Sequence, residues 1–337
     1  MRYVRIGLIL LVACVGSFFV SHDARAVSTE QAANTLKVSP VRTDIEVRPG
    51  MKKVVQVTMT NLAKTAVTVR PVSNDFVAGD ERGTPALILD DTQYAPTHSL
   101  KRFMSPLSPV TIPGRGSKTV SVVVTVPSSA QAGGYFGSIR FVPTTPDGGG
   151  QVNLSPSVAS LILLKVPGAI VEDVAVTDFE VQRSGGSHFY FQKPDNLSLF
   201  ARFRNDGNVQ VAPLGKIQVY QGKEVVFESD FNAQDPKDTI LPDSARRWDV
   251  PLKNIGSIGR FRLFATYTYG EKNNTIELSR TFYIAPLWLV LCGLASPLII
   301  LGIIVWIVLY RVRRRSRGKN RGHRRGRHTA QRRRFGA

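Results

Sequence analysis

From Leu36 to about residue 283, apolar and polar positions alternate with a period of two, the signature of half-buried β-strands. In KKVVQVTMT, Val55, Val57 and Met59 fall on one side while Gln56, Thr58 and Thr60 fall on the other. A turn at Asn61-Leu62-Ala63-Lys64 leads into TAVTVRP, where Val67 and Val69 alternate with Thr68 and Arg70. KTVSVVVTVP sets Val120, Val122, Val124 and Val126 on one face; YFGSIRFVP follows Gly133-Gly134, and VASLILLKV (158–166) adds another strand. TTPDGGG (144–150) reads as a loop inside this unit, and Pro167-Gly168 as its end.

The second unit repeats the grammar. Leu199, Ala201 and Phe203 share a face before the turn at Asp206-Gly207, KIQVYQGKEVVFE reads as a hairpin around Gln221-Gly222, and GRFRLFATYTYG alternates Phe261, Leu263, Ala265 and Tyr267. Each unit has a strand, an asparagine-centred turn (Asn61; Asn205) and a second strand, then a Pro/Gly/Asp turn and a glycine-led aromatic strand. That order fits a remote duplication, or two folds meeting the same turn requirements. Short strands between Pro, Gly, Asn and Asp turns, with no helical stripe, predict an all-β chain of two Ig-like β-sandwiches in tandem.

The pattern changes at both ends. Ile6 to Val20 is an apolar run between MRYVR and the small-x-small site Ala24-Arg25-Ala26, which reads as a signal peptide cleaved after residue 26. Leu11 to Cys14 also fits a lipoprotein box, the alternative reading of that end. Leu287 to Tyr310 is 24 residues without a formal charge. As a helix it would reach about 36 Å, enough for a hydrocarbon core of about 30 Å. The expected organisation is a signal peptide at 1–26, a polar leader at 27–35, sandwiches at 36–167 and 168–283, a transmembrane helix at 287–310 and a basic tail at 311–337.

Charge then sharpens the picture. The chain of 337 residues carries a formal +19, which alone would suggest a nucleic-acid binder. Thirteen Lys/Arg and no acid lie in residues 311–337, and the region from 27 to 310 holds only about +4. By the positive-inside rule the tail is expected to be cytoplasmic and the sandwiches extracellular, in a single-pass protein of the cell membrane. Beside a membrane such a tail would meet anionic lipid, and with Phe335 its one aromatic it is a poor reader of nucleic acid.

Candidate chemistry is sparse. The only cysteines, Cys14 and Cys292, sit in the two apolar runs, so the sandwiches carry neither a disulfide nor a thiol nucleophile. His98 and His188 stand apart at loop-like positions, expected to be solvated. Asp75, Asp80, Glu81, Asp90 and Asp91 flank an insert at 74–109; they would serve calcium or a cationic partner, or be a solvated loop. Within that insert Tyr94, Phe103 and Met104 are expected to cover the core. GxSxG and GxxxxGK[ST] are missing, and Asn153, Asn196 and Asn273 head short glycosylation sequons. The expectation is no enzyme: no catalytic, cofactor-binding or metal-binding residues, and no cofactor.

The Arg48-Pro49-Gly50 turn, the Asn61 turn and the GGYFGSIRF strand resemble the first domain (DUF916) of WxL-interacting proteins, surface proteins of Gram-positive cells. LFARFRNDGNVQVAP and ILPDSARRWDVPL resemble their second domain (DUF3324). The resemblance implies a first domain that contacts peptidoglycan and a second that binds secreted surface proteins at the cell wall. Two functional readings result. One is a membrane-anchored cell-surface protein that binds or organises envelope components. The other is an accessory subunit or chaperone that captures a secreted client protein through an exposed edge strand.

Overall fold

The computed structural model describes residues 35–144 and 157–325. The expected signal peptide with Cys14, most of the leader, the 145–150 loop, Asn153 and the end of the tail lie outside them.

The chain folds as two β-sandwiches in tandem, followed by one helix. In the first, β1 (Leu36–Ser39), β3 (Lys52–Asn61) and β7 (Ser117–Thr125) form a sheet in the order β1-β3-β7. Facing it is the sheet β2-β9-β8-β4-β5, made from β2 (Arg42–Glu46), β9 (Val158–Val166), β8 (Gly133–Thr144), β4 (Val67–Ala78) and β5 (Pro85–Leu87). A short β6 (Val110–Ile112) also pairs with β4. The alternation decides which side chains meet: Val55 and Val57 lie opposite Val122 and Val120, all buried, while Thr58 and Thr119 face outward and share a hydroxyl bond of 2.9 Å. The chain changes sheets at Pro40-Val41, so β1 pairs with β3 but β2 runs parallel to β9.

The second sandwich sets β11-β10-β13-β16 against β12-β18-β17-β14-β15. The first sheet comprises β10 (Val174–Arg183), β11 (Gly186–Ser187), β13 (Leu197–Asn205) and β16 (Ser244–Pro251). The other comprises β12 (Tyr190–Phe191), β14 (Leu214–Gln221), β15 (Glu224–Phe231), β17 (Gly259–Tyr269) and β18 (Asn274–Ile284). Its core centres on rings: Tyr267 lies 5.0 Å from Phe203 and 4.8 Å from Phe231, with Trp248 against both phenylalanines. From β18 the chain enters α1 (Leu287–Arg325). Its stretch Leu287–Arg311 is long and apolar enough to cross a membrane. The basic residues expected as a separate tail continue the same helix to Arg325.

Both sandwiches are pinned by a buried asparagine at the end of a strand. The Asn61 side-chain amide donates to the carbonyl of Thr65 (2.8 Å) and to those of Ile112 and Pro113, while its oxygen accepts from Ala63. Asn205 repeats this with Val209 (2.8 Å), Ile240 and the amide of Gly207. In each, one side chain pays the hydrogen-bonding debt of a turn and ties it to a distant strand end. The shared order of parts in sequence is thus a shared pattern of hydrogen bonds.

Two tests follow from the second core. Asn205→Ala leaves buried backbone groups without partners and should cost at least about 2 kcal/mol in denaturant unfolding; an unchanged midpoint would contradict the pinning role. The Tyr267 hydroxyl is buried without a partner, and burial raises its pKa. The folded state therefore holds that proton more tightly than the unfolded chain does. This contribution is whole below tyrosine's ordinary value of about 10 and is lost as pH rises above it. Tyr267→Phe should be at least as stable as the parent at neutral pH and lose less stability between about pH 9 and 11.

Candidate functional site

The two sandwiches meet around a cleft of about 250 Å³. Its floor is apolar: Phe76, Phe136 and Leu163 of the first sandwich are buried together, with Leu161 and, from the second sandwich, Leu241 packed on them. Val41, where the chain changes sheets, is 64% exposed at the mouth.

Two guanidiniums line the polar side. Arg42 at the start of β2 donates to the Lys237 carbonyl (2.9 Å) and pairs with Asp44 (2.9 Å). Arg246 on β16 donates to the Thr239 carbonyl (3.0 Å), pairs with Asp238 (2.8 Å) and lies over the Trp248 ring. Burial lowers the Arg246 pKa, and Asp238 opposes that shift. The Nε atoms of both arginines are buried without a partner. The cleft thus joins an apolar floor to hydrogen-bond donors held in place by their own aspartates.

Three seams fix its width. The turn between β4 and β5 is shaped by Asp80, whose carboxylate accepts from the amides of Arg82 and Thr84 and from the Thr84 hydroxyl. It presents Glu81 to the second sandwich. The Glu81 carbonyl accepts from the Arg247 amide (2.7 Å), and its carboxylate takes both Nε (3.0 Å) and a terminal nitrogen (2.6 Å) of Arg202. Gly83 follows at φ +89°, a conformation that favours glycine, and a Cβ there would displace the Arg246 guanidinium. At the elbow, the Asn208 carbonyl accepts from Gly134 (2.8 Å), its side-chain amide reaches the Ala132 and Ala169 carbonyls, and its side-chain oxygen takes the Val171 amide. Lys165 pairs with Glu271 beside it.

Beside the cleft runs an unpaired strand edge. β2 bonds to β9 on one side only. The bonds Leu161 N–H to Val41 and Val47 N–H to Lys165 turn the odd-numbered backbone groups toward β9. By alternation, the amides and carbonyls of Arg42, Asp44 and Glu46 face the open side.

The sequence-predicted residues are scattered over the structure. Asp75 is fully buried rather than solvated: its carboxylate accepts from the Ala95 amide, the Ser99 hydroxyl (2.6 Å) and the Lys101 amide, so it organises the insert. Asp90 caps a turn through Thr92, and Asp91 lies 3.7 Å from Arg70. These carboxylates do not converge, and among the described residues no three His, Cys, Asp or Glu side chains gather as a metal site. His98 is half-buried, its Nδ1 2.6 Å from the Gly134 carbonyl and its ring 5.9 Å from that of Phe136; only His188 is exposed. Phe103 and Met104 cover the core as expected, whereas Tyr94 stands outside between Lys101 and Arg102. Reasoning from the sequence missed Arg42, Arg202 and Arg246. Arg202 and Glu81 are 121 positions apart, and no local pattern links them.

No family profile and no curated protein sequence matches the chain. Solved structures do align with it. A class 5 fimbrial chaperone, CfaA, has 13% identity over 73% of this chain and 98% of its own, with a TM-score of 0.38. A chaperone–tip adhesin complex of CFA/I fimbriae gives 12%, 74%, 99% and 0.37. The Escherichia coli chaperone DraB gives 15%, 74%, 98% and 0.32. Identities this low and TM-scores below 0.5 leave the function of this chain to be argued from its own residues.

Two expectations are corrected. The resemblance to WxL-interacting proteins, with its DUF916 and DUF3324 domains and its Gram-positive cell wall, fails: no family profile matches the chain. The motifs behind it are turn and strand requirements that any such sandwich meets. The single-pass placement in the cell membrane, with extracellular sandwiches and a cytoplasmic tail, is withdrawn as well. What the structure shows of it is a helical stretch, Leu287–Arg311, long and apolar enough to cross a membrane. The architecture is two β-sandwiches in tandem followed by one long apolar helix.

The Glu81 seam makes a pH-dependent prediction. Hydrogen bonding to Arg202 holds the Glu81 carboxyl below the usual carboxylate range. Its contribution is therefore whole above the ordinary glutamate value of about 4.3 and lost as pH falls through the depressed folded value. Glu81→Gln should speed protease cleavage of the 167–173 linker at neutral pH and weaken its dependence on pH below about 4.3. A cleavage rate equal to the parent's at every pH would contradict the seam.

Proposed function

We propose that the chain is an accessory or chaperone-like protein that captures an extended segment of a secreted client protein on the open edge of β2. The observation that carries this reading is the run of outward backbone groups at Arg42, Asp44 and Glu46 leading into the apolar cleft. A client segment laid there forms main-chain hydrogen bonds, which give affinity without demanding a sequence. Selectivity comes from the side chains: Arg42, Asp44 and Glu46 make the edge charged, so an all-apolar strand is disfavoured. At the cleft, an apolar client residue meets Val41 and Leu161, and an acidic group meets the positive charge of Arg42 and Arg246.

Asp44→Pro removes an amide that faces the open side, not one bonded to β9. The full chain would be panned against a phage-displayed library of twelve-residue peptides. Asp44→Pro should weaken enriched peptides at least about tenfold, roughly 1.4 kcal/mol, with little change in unfolding midpoint. Val225→Pro on β15 serves as the control and should leave binding intact. Equal binding by the parent and Asp44→Pro would remove β2 as the capture edge.

A further inference from the structure

We propose a second binding site, for a neutral sugar ring of a glycan, on the outer face of the β10-β13-β16 sheet. A depression of about 660 Å³ lies there, within the range of ligand sites. Register places Glu180, Phe200 and Asp249 side by side across the three strands. Arg247, two residues before Asp249, shares its face, and Gln182 and Asn196 stand at the rim.

The charges there are unusual. Asp249 is exposed, and its carboxylate makes no hydrogen bond or ion pair among the described residues. Arg247 is half-buried and forms no ion pair with Asp249, though its charge also acts on the Glu81 carboxylate; its Nε is buried, so a ligand would meet the terminal nitrogens. Neighbouring opposite charges that do not pair call for a ligand that donates to one and accepts from the other. Glu180 is paired with Arg280 (3.6 Å) and lies outside the depression; an anionic ligand there meets Asp249, a cationic one meets Arg247, and an apolar one strips water from both charges at a cost. A pair of vicinal hydroxyls satisfies both groups at once. The half-buried Phe200 ring between them takes the C–H face of a pyranose, and the rim amides reach further hydroxyls. Arg202, on the same strand as Phe200, is already engaged by Glu81, so the site stands apart from the cleft.

The test is saturation-transfer NMR on the full chain in a phosphocholine detergent, which itself carries no sugar. The probes are the methyl glycosides of glucose, galactose and mannose. At least one should receive saturation at its ring protons. Phe200→Ala should abolish the signal, and the nearly isosteric Asp249→Asn should reduce affinity about tenfold, while Arg42→Ala in the cleft changes nothing. Asp249 is exposed, so its variant keeps the test valid if Phe200→Ala fails to fold. No transfer to any of the three glycosides would overturn the site, as would transfer unchanged in Asp249→Asn.

Discussion

The outer wall of the cleft is set by the Glu81 turn, which is fastened to the second sandwich. Two β-sandwiches joined by a short linker would otherwise swing about it. One backbone bond to Arg247 and a two-pronged contact to Arg202 set the outer wall, while Asn208 sets the elbow. Between those fixed points Arg246 is pressed against Gly83 and held by Asp238, so its donors point where the fold puts them. Exposed ion pairs contribute little on their own. Here the charged contact is joined to a backbone bond to Arg247 and to a turn whose Gly83 has a positive φ. The seam acts through geometry more than through energy.

The second constraint is the accounting of backbone polar groups. A sandwich buries its faces readily, but turns and edges leave amides and carbonyls that must find partners. At the turns, Asn61 and Asn205 supply those partners in the same pattern, and Asp75 does so for the insert. At the edges, β7 gains partners from Met104 and Ser105, and β16 gains one from Glu81. β2 is left open beside the apolar cleft. An edge that a fold leaves unpaired next to a cleft is the natural place for another chain to add a strand.

Much of this was legible from residues. Period-two alternation placed the inward faces of β3, β7, β13 and β17, and the asparagine turns marked both sandwiches, because strand and turn chemistry is local. The apolar run from Leu287 announced α1 for the same reason. What escaped was non-local. Arg202 and Glu81 are far apart in sequence, and Arg42 gains its role only because the chain changes sheets at Pro40-Val41. Asp75 read as a loop carboxylate, since burial depends on the insert that folds over it. His98 likewise becomes structural only where β8 brings the Gly134 carbonyl to it. The mistaken family resemblance has the same origin: Arg48-Pro49-Gly50 and GGYFGSIRF state how a sandwich is built and not what it holds.

Amide hydrogen exchange on the full chain, with and without a peptide enriched by panning, tests the capture claim most directly. The account predicts that the amides of Asp44 and Glu46 exchange quickly in the free protein and slow at least about tenfold on binding, while those of Thr43 and Ile45, already bonded to β9, change little. Protection that appears on β15 or β18 and leaves Asp44 and Glu46 unchanged would contradict it.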